Sequence, residues 1–307
     1  MNDPTAHRLA AGDLDAWFLP RYGMLGASLR WRGVELLRRV EDLDAAAAKG
    51  STAGIPLLYP WANRLAGPRY QVAGRAVVLD PDSSLLHWDD QRLPMHGVPW
   101  ALLPWEVSEA TVDRLVGRLD WGRKEWLAIF PFPHQLEMRV SIAVNGLTIE
   151  TTLIAGEDSL VPVSFGFHPY FGIPGVPRAH WRLRLPAMRR LVPGPQGIPT
   201  DKEEDFAETD ALLGESGWDH GFGVKADNPV FSIAGAGLRI SLECLGGYRF
   251  AQIFAPPDKD YIALEPMTAP SNALASGRGL TFVEAGRRFH AAFRIQVDPP
   301  AKNLTVP

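Results

Sequence analysis

Alternating polar and apolar residues mark the middle of the chain. Arg139–Val144 alternates, and Leu147–Ile154 alternates again directly after it. Successive side chains of a strand point to opposite faces, so both runs predict strands with one buried face. Asn145 and Gly146 separate the runs, and this pair favours a type I′ turn because both residues tolerate a positive φ. The pattern predicts a β-hairpin with these two residues at the centre of its turn.

Similar short runs recur in the last third of the chain. Leu238–Glu243 alternates throughout, and Phe289–Val297 alternates over part of its length. Phe250–Phe254 and Tyr261–Leu264 are further strand candidates, and the turn-forming segment Pro256–Asp260 lies between them. Many short strands with frequent turn signals indicate an all-β sandwich or barrel.

Helical signals are few. Glu41–Gly50 predicts one or two helical turns that end at Gly50, and Glu203–Leu213 is a weaker helix candidate. The 29 glycines and 27 prolines are spread over the chain and would interrupt long helices. Pro186–Asp205 is the most irregular stretch, and we interpret it as a surface loop rather than a domain boundary because strand patterns resume after it. We therefore expect residues 1–307 to form a single domain.

Composition narrows the class of protein. Hydrophobic residues make up 46% and charged residues 21% of the chain, as in globular proteins with a sizeable core. The net charge of -4 comes from interspersed acidic and basic residues, so no basic face is offered to nucleic acid or to an anionic membrane. No signal-peptide pattern begins the chain, and no apolar run approaches the ~18 residues of a membrane span. These features predict a cytoplasmic protein that binds neither nucleic acid nor membrane.

Several reaction classes lack support in the sequence. Cys244 is the single cysteine, so an internal disulfide and a cysteine-rich zinc site are excluded, and we interpret it as a core residue. No nucleophile elbow, Walker loop or dinucleotide fingerprint is present. No two histidines have a metal-binding helical spacing, so we expect no metal site.

Three ionisable residues are candidates for acid–base chemistry. Glu265 closes the apolar run Tyr261–Leu264, where an unpaired carboxylate would be costly. His96 and His168 both lie in segments rich in glycine, proline and apolar residues. One carboxylate and two imidazoles in such surroundings can move protons near neutral pH. The alternative is that each of these two histidines is a hydrogen-bonded core residue. The other histidines lack such framing and are interpreted as structural: His87, His134, His180, His220 and His290.

Other residues suit the binding of an oxygen-rich ligand. Asn63 and Arg64 follow an apolar, proline-rich run, and Asp219 lies among aromatic residues. An arginine fork donates to oxygens, and a carboxylate accepts from hydroxyls. Each residue has a simpler interpretation: Arg64 pairs with a structural carboxylate, Asn63 caps a turn, and Asp219 caps a turn at Gly221. The 10 tryptophans could stack on sugars, although most tryptophans of a β-sandwich belong to its core.

Five segments, taken in order, resemble those of the aldose 1-epimerase (mutarotase) family. They are Asn63-Arg64, His96-Gly97, His168–Phe171, Trp218–His220 and Glu265–Thr268, within roughly residues 20 to 297. The resemblance implies a large antiparallel β-sandwich of the galactose mutarotase type with few short helices. It also implies an isomerase that interconverts the α- and β-anomers of a sugar without a cofactor or a metal.

The resemblance implies residue roles as well. Glu265 is similar to the base that removes the anomeric proton, His168 to the acid that protonates the ring oxygen, and His96 to a second imidazole near that oxygen. The residues similar to those that bind sugar hydroxyls are Asn63, Arg64, Asp219 and Gln252.

Alternatives to a simple hexose mutarotase stay open. Pro169 and the segment Pro266–Pro270 look more like a broader group that includes hexose-6-phosphate epimerases. A phosphosugar enzyme should show basic residues at the rim of its cleft, for which Arg69 and Arg92 are candidates. A non-catalytic carbohydrate-binding protein could use the same scaffold, and a glycoside hydrolase or lyase would pair Glu265 with Asp219. The chain could act as a monomer or as a homodimer.

Overall fold

The computed structural model describes residues 5–39, 42–48 and 51–298. The first strands are β1 (His7–Ala11), β2 (Leu14–Leu19), β3 (Leu25–Trp31), β4 (Val34–Glu35), β5 (Leu57–Leu58), β6 (Arg69–Val72), β7 (Arg75–Val78), β8 (His87–Trp88), β9 (Pro94–Met95), β10 (Glu106–Ala110), β11 (Arg114–Asp120), β12 (His134–Ala143) and β13 (Gly146–Ala155). They are followed by β14 (Val161–Val163), β15 (Gly166–Phe167), β16 (Tyr170–Phe171), β17 (Arg182–Leu185), β18 (Met188–Pro193), β19 (Pro199–Phe206), β20 (Thr209–Leu212), β21 (Trp218–Val224), β22 (Val230–Gly235), β23 (Leu238–Gly246), β24 (Phe250–Ala255), β25 (Ile262–Met267), β26 (Thr281–Val283) and β27 (Arg288–Asp298).

Helices are short throughout the described ranges. The α-helices are α1 (Leu43–Ala48), α2 (Lys124–Ile129) and α3 (Ala273–Ser276), and single 3₁₀ turns cover Pro20–Tyr22, Trp100–Leu102 and Arg178–His180. None of these helices has the length and apolar character needed to cross a membrane.

Two large antiparallel sheets make up most of the fold. One has nine strands in the order β10-β11-β12-β13-β27-β23-β22-β17-β20. The other has the order β19-β18-β21-β24-β25-β15-β5, with β16 also paired to β25, and β1 to β4 form a smaller sheet. The expected all-β fold with large antiparallel sheets is therefore confirmed.

The core lies between these two sheets. On β12 every second side chain is buried, which places Leu136, Met138 and Val140 on one face. From the opposite sheet, Phe167 contacts Phe293 of β27, with ring centroids 5.1 Å apart. Burying an apolar side chain of this size stabilises the fold by about 1.5–3 kcal/mol, so the alternation itself selects which face of each strand turns inward.

The predicted hairpin forms, but its turn is not the predicted one. Strands β12 and β13 pair in register, with Ala143 opposite Gly146, so the two turn residues are Val144 and Asn145. Neither has a positive φ, and the type I′ expectation is wrong. The reason is tertiary: Gly146 pairs with Gln296 on β27 and is thereby recruited into its strand.

The region expected to be a loop followed by a weak helix is a pair of charged strands. Pro186–Asp205 contains β18 and most of β19, and Glu203–Leu213 spans the end of β19 and all of β20. Opposite charges face each other across the first pair: Arg189 pairs with Asp205 at 2.8 Å, and Arg190 lies opposite Glu204. Both predictions were wrong because strand pairing, which local propensity does not report, decides this segment.

The remaining local predictions fare better. The runs Leu238–Glu243, Phe250–Phe254 and Phe289–Val297 lie inside β23, β24 and β27 and are confirmed as strands. The run ending at Leu264 belongs to β25, although Glu265 lies within that strand rather than after it. Helix α1 falls within the predicted segment 41–50, whose two end residues lie outside the described ranges.

Candidate active site

Glu265 and His168 form a buried pair on neighbouring strands. Glu265 belongs to β25, and His168 directly follows β15, which pairs with β25 through Gly166 and Met267. The Nε2 atom of His168 lies 3.1 Å from Oε1 of Glu265. Their side chains are only 7% and 2% exposed, so the pair sits almost entirely outside bulk water.

Burial sets the protonation of this pair. It raises the pKa of the Glu265 carboxyl well above its usual value, and the Asp219 carboxylate raises that pKa further. It lowers the pKa of His168, with a smaller contribution from His96. Desolvation disfavours charge on either group, so burial favours a pair that has one titratable proton and no net charge. That proton can reside on the carboxyl or on the imidazole.

His96 completes the group of proton-handling side chains. Its ring lies edge-on to the ring of His168, with 5.7 Å between centroids. The backbone N–H of Asn63 donates to Nδ1 of His96 at 3.1 Å, so the imidazole proton must be on Nε2. Burial, followed by the charge of Arg64, lowers the pKa of His96 to about 3. This histidine is therefore a neutral hydrogen-bond donor.

The backbone that presents His96 tolerates no side chain at the next residue. His96 and Gly97 have φ values of 63° and 67°. A Cβ on Gly97 would lie 2.2 Å from the carbonyl oxygen of Tyr59, which is a severe clash. The left-handed conformation and the close approach both require glycine here.

Asn63 and Arg64 are fixed by polar contacts on their outer side. Arg64 donates from Nε to Oδ2 of Asp89 at 2.6 Å. The Asn63 carboxamide oxygen accepts from the Arg64 backbone N–H at 2.9 Å and from the Ser271 hydroxyl at 3.2 Å. The simpler interpretation, a structural carboxylate for Arg64, is thus confirmed. Both residues nevertheless line the same cavity as His96.

Asp219 and Gln252 form a second polar pair next to Glu265. Gln252 lies directly opposite Glu265 in the β24–β25 ladder, and it donates from Nε2 to Oδ1 of Asp219 at 2.6 Å. A Cβ on Gly221 would come within 3.0 Å of the Gln252 side-chain oxygen, so glycine leaves room for this amide. Asp219 itself lies inside strand β21, and its interpretation as the cap of a turn at Gly221 is wrong.

All these side chains meet at one cavity of about 300 Å³. The sequence-derived candidates that line it are Asn63, Arg64, His96, His168, Asp219, Gln252 and Glu265. Sequence reasoning missed the seven further lining residues, which are Arg38, Ser51, Thr52, Met95, Tyr170, Phe254 and Tyr261. The two arginines expected at the rim, Arg69 and Arg92, are exposed residues outside this lining.

Aromatic rings in the cavity are tyrosines and a phenylalanine rather than tryptophans. The Tyr170 ring stacks on His168 with 4.2 Å between centroids, and its hydroxyl lies 3.3 Å from Nε2 of that histidine. Trp61, Trp121 and Trp181 are instead fully buried in the core, as expected for most tryptophans. Tyr170 was the missed residue nearest to a signal, because it belongs to the motif that contains His168.

His134 and Cys244 match their simpler interpretations as residues of the core. His134 is buried and bonded through both ring nitrogens, to the Tyr59 hydroxyl and to the Phe132 carbonyl. Cys244 is buried, and burial raises the pKa of its thiol to about 12. Among the residues that the structure describes, no group of three or more His, Cys, Asp or Glu side chains is arranged to hold a metal ion.

Comparison with known proteins assigns this β-sandwich to a family. The model of the aldose 1-epimerase family matches residues 20–296, and the chain belongs to this family. The uncharacterized protein YihR of Escherichia coli K12 is 24% identical over 303 residues, which cover 94% of this chain and 91% of that protein.

Solved structures agree on the fold. The Slr1438 protein from Synechocystis sp. PCC 6803 is 25% identical, with 97% of both chains covered and a TM-score of 0.79. A galactose mutarotase-like protein from Clostridium acetobutylicum is 19% identical, with 95% of this chain and 94% of that chain covered and a TM-score of 0.81. The fold is therefore galactose mutarotase-like.

Proposed function

We propose that this protein is an aldose 1-epimerase, which interconverts the α- and β-anomers of a hexose or a related sugar. The observation that carries the proposal is the contact of 3.1 Å between His168 and Glu265 at the wall of a polar cavity. Anomer exchange requires one group that takes a proton and one that gives a proton on the same ring. A coupled pair with a single proton supplies both.

Ring opening uses the ion-paired form of this pair. The Glu265 carboxylate removes the proton of the anomeric hydroxyl, and the electron pair of that O–H bond forms the aldehyde carbonyl. The bond between the anomeric carbon and the ring oxygen breaks, and the ring oxygen takes a proton from the His168 imidazolium. The pair is left as a neutral acid and a neutral imidazole.

Burial favours this direction of transfer on the protein side. The raised pKa of Glu265 makes its carboxylate a stronger base, and the lowered pKa of His168 makes its imidazolium a stronger acid. Positioned acid–base groups of this kind typically contribute ~10²–10⁴-fold each. After the aldehyde rotates about its C–C bond, the same two transfers run in reverse and close the ring on the other face.

The other cavity residues hold the sugar. His96 donates from Nε2 near the ring oxygen, and Asn63 and Arg64 face hydroxyls from their fixed positions. The Asp219–Gln252 pair lies beside Glu265 and accepts from further hydroxyls. Such contacts keep the reacting carbon in register with the acid and the base.

Replacing Glu265 by glutamine tests the proposal. The amide keeps the size of the side chain and cannot accept the anomeric proton, so we expect catalysed anomer exchange to fall by ~10²-fold or more. The rate is measured by polarimetry or NMR on purified anomers from a panel of hexoses. Glu243→Gln is the matched control, because Glu243 lies on β23 and pairs with Arg294 at 3.8 Å. A Glu265→Gln variant as fast as the wild type would refute the assignment.

Two other functions predict different results. A carbohydrate-binding protein without catalysis would bind a sugar and leave its anomer exchange at the uncatalysed rate. A glycoside hydrolase or lyase would need Asp219 as a second reacting carboxylate, but that group already accepts from Gln252 at 2.6 Å. Release of reducing ends from glycosides, measured with the same preparation, would favour the hydrolase.

The proposal extends to the whole chain and its location. We propose that residues 1–307 work as one domain, because the core between the two sheets draws residues from Leu9 to Val297. A single unfolding transition followed by two spectroscopic probes tests this. We also propose a cytoplasmic location, which cell fractionation tests.

A further inference from the structure

Arg38 is a charged residue of the cavity that the proposed reaction does not use. It lies three residues after β4 and lines the cavity together with Thr52. One guanidinium nitrogen donates to the Thr52 carbonyl oxygen. The guanidinium carbon lies over two tyrosine rings, 5.3 Å from the centroid of Tyr170 and 4.8 Å from that of Tyr261. These contacts fix the plane of the fork.

The charge of Arg38 lacks a local counterion. In the described ranges, no carboxylate lies within 4.0 Å of its guanidinium. Two other arginines do have a carboxylate partner. Arg64, which also lines the cavity, contacts Asp89 at 2.6 Å, and Arg39, the next residue in the sequence, contacts Glu35 at 3.9 Å. Arg38 is thus a preorganised cation with donors left over, and that geometry suits a carboxylate or phosphate oxygen.

The position of Arg38 points to one end of the sugar. In the proposed reaction His168 serves the ring oxygen. The carbon on the far side of that oxygen carries the exocyclic C6 group of a hexopyranose. Tyr170 stacks on His168, and Arg38 lies over Tyr170. A C6 substituent would therefore lie on the Arg38 side of the cavity, and the Arg64 side would hold the other hydroxyls.

We propose that the natural substrate is an anionic sugar whose C6 oxyanion, a carboxylate or a phosphate, is bound by Arg38. This inference rests on the proposed function for the orientation of the ring. It makes Arg38 the residue that selects the substrate class, in place of the two rim arginines Arg69 and Arg92.

A binding experiment tests the inference without catalysis. Unreactive 1,5-anhydro sugars, which lack the anomeric hydroxyl, are titrated calorimetrically in three forms: neutral, C6 carboxylate and 6-phosphate. We expect the wild type to bind at least one anionic form roughly 10- to 100-fold more tightly than the neutral one, as for a hydrogen bond to a charged group. The tighter of the two anions identifies the source of the charge. Equal affinity for all three forms would overturn the inference and needs no variant.

Variants then assign the preference to a residue. In Arg38→Met the anionic preference should fall to near unity, whereas in Arg39→Met it should stay as in the wild type, because Arg39 is exposed and lies outside the cavity lining. A preference that survives in Arg38→Met would overturn the assignment. Anomer-exchange rates give the same comparison with reactive sugars. Failure of the epimerase proposal is seen separately, as absent catalysis, while the titrations still decide the role of Arg38.

Discussion

Two buried histidines, His134 and His168, have similar surroundings but different hydrogen-bond partners. Both pack against aromatic rings, and the exposed fraction of the whole residue is 3% for His134 and 5% for His168. His134 has a partner for each ring nitrogen. His168 shares Nε2 with Glu265, while its Nδ1 and the second oxygen of Glu265 have no partner among the described residues.

The two sites differ because only the His168 site, at the cavity, has buried polar atoms that lack a hydrogen-bond partner among the described residues. A buried polar atom without a partner typically costs about 1–3 kcal/mol, so folding alone does not favour the Glu265–His168 arrangement. The His134 arrangement stabilises the fold and leaves nothing for a ligand. Depth of burial therefore does not distinguish these two histidines, whereas the number of their hydrogen-bond partners does.

Making the same substitution at both sites is the strongest test of this comparison. We expect His168→Asn to lower the anomer-exchange rate by ~10²–10⁴-fold, with a modest change in the free energy of unfolding. His134→Asn should instead destabilise the fold by about 2–4 kcal/mol, because it breaks the contact with Tyr59 and leaves a void. Rate assays and urea denaturation of both variants check this. Full activity in His168→Asn would move the acid role to His96 or to water.

The pH dependence of stability should also separate the two sites. The pKa of Glu265 in the folded state is raised above 4.5, the value expected for the unfolded chain. The folded state therefore keeps a proton that the unfolded chain loses, and stability falls as pH rises from 4.5 toward the folded pKa. Glu265→Gln removes this loss. Its free energy of unfolding, relative to the wild type, should rise from about pH 4.5 upward by at most ~1.4 kcal/mol per pH unit.

His134 should show the opposite sign. Its folded pKa is about 4 against an ordinary value of 6.5, so the unfolded chain binds more protons between these values. Stability from this group is therefore complete above pH 6.5 and is lost as pH falls toward 4, by roughly 3 kcal/mol in total. Urea denaturation of wild type and His134→Asn across this range measures the difference. A parallel pH profile for the two proteins would contradict the pKa direction.

A smaller effect is expected at Asp89, which lies outside the cavity lining and forms an ion pair with Arg64, a residue of that lining. Asp89→Asn removes the negative charge but keeps an oxygen that can accept from Arg64. The Arg64 side chain is then held less firmly, so we expect kcat/KM to fall about tenfold, mainly because KM rises. The neighbouring Asp90→Asn is the control, because Asp90 is exposed and lies outside the cavity lining. Equal effects of the two substitutions would mean that Asp89 does not position Arg64.

The elements that were predicted correctly are those that a short run of neighbouring residues determines. The alternating runs of β12 and β13 became strands because one face of each must be buried. The turn at Asn145 was misjudged because Gly146 pairs with the distant Gln296 on β27. The charged strand β19 was misjudged because it pairs with the preceding strand β18, and the propensity of a few residues does not report strand pairing.

The candidate site divides in the same way. Glu265, His96 and His168 carry local framing by glycine, proline and apolar residues, so the sequence singled them out. Arg38 has no such framing: its orientation depends on Tyr170 and on Tyr261, which lie far away in the chain. A role defined by distant partners becomes visible only once the strands are assembled.

The single titratable proton shared by Glu265 and His168 has a consequence for proton exchange with the solvent during turnover. Opening the ring moves that proton through the sugar, and closing the ring returns it, so each cycle ends with the pair as it began. In the proposed mechanism, neither water nor buffer would have to exchange a proton with the pair between cycles.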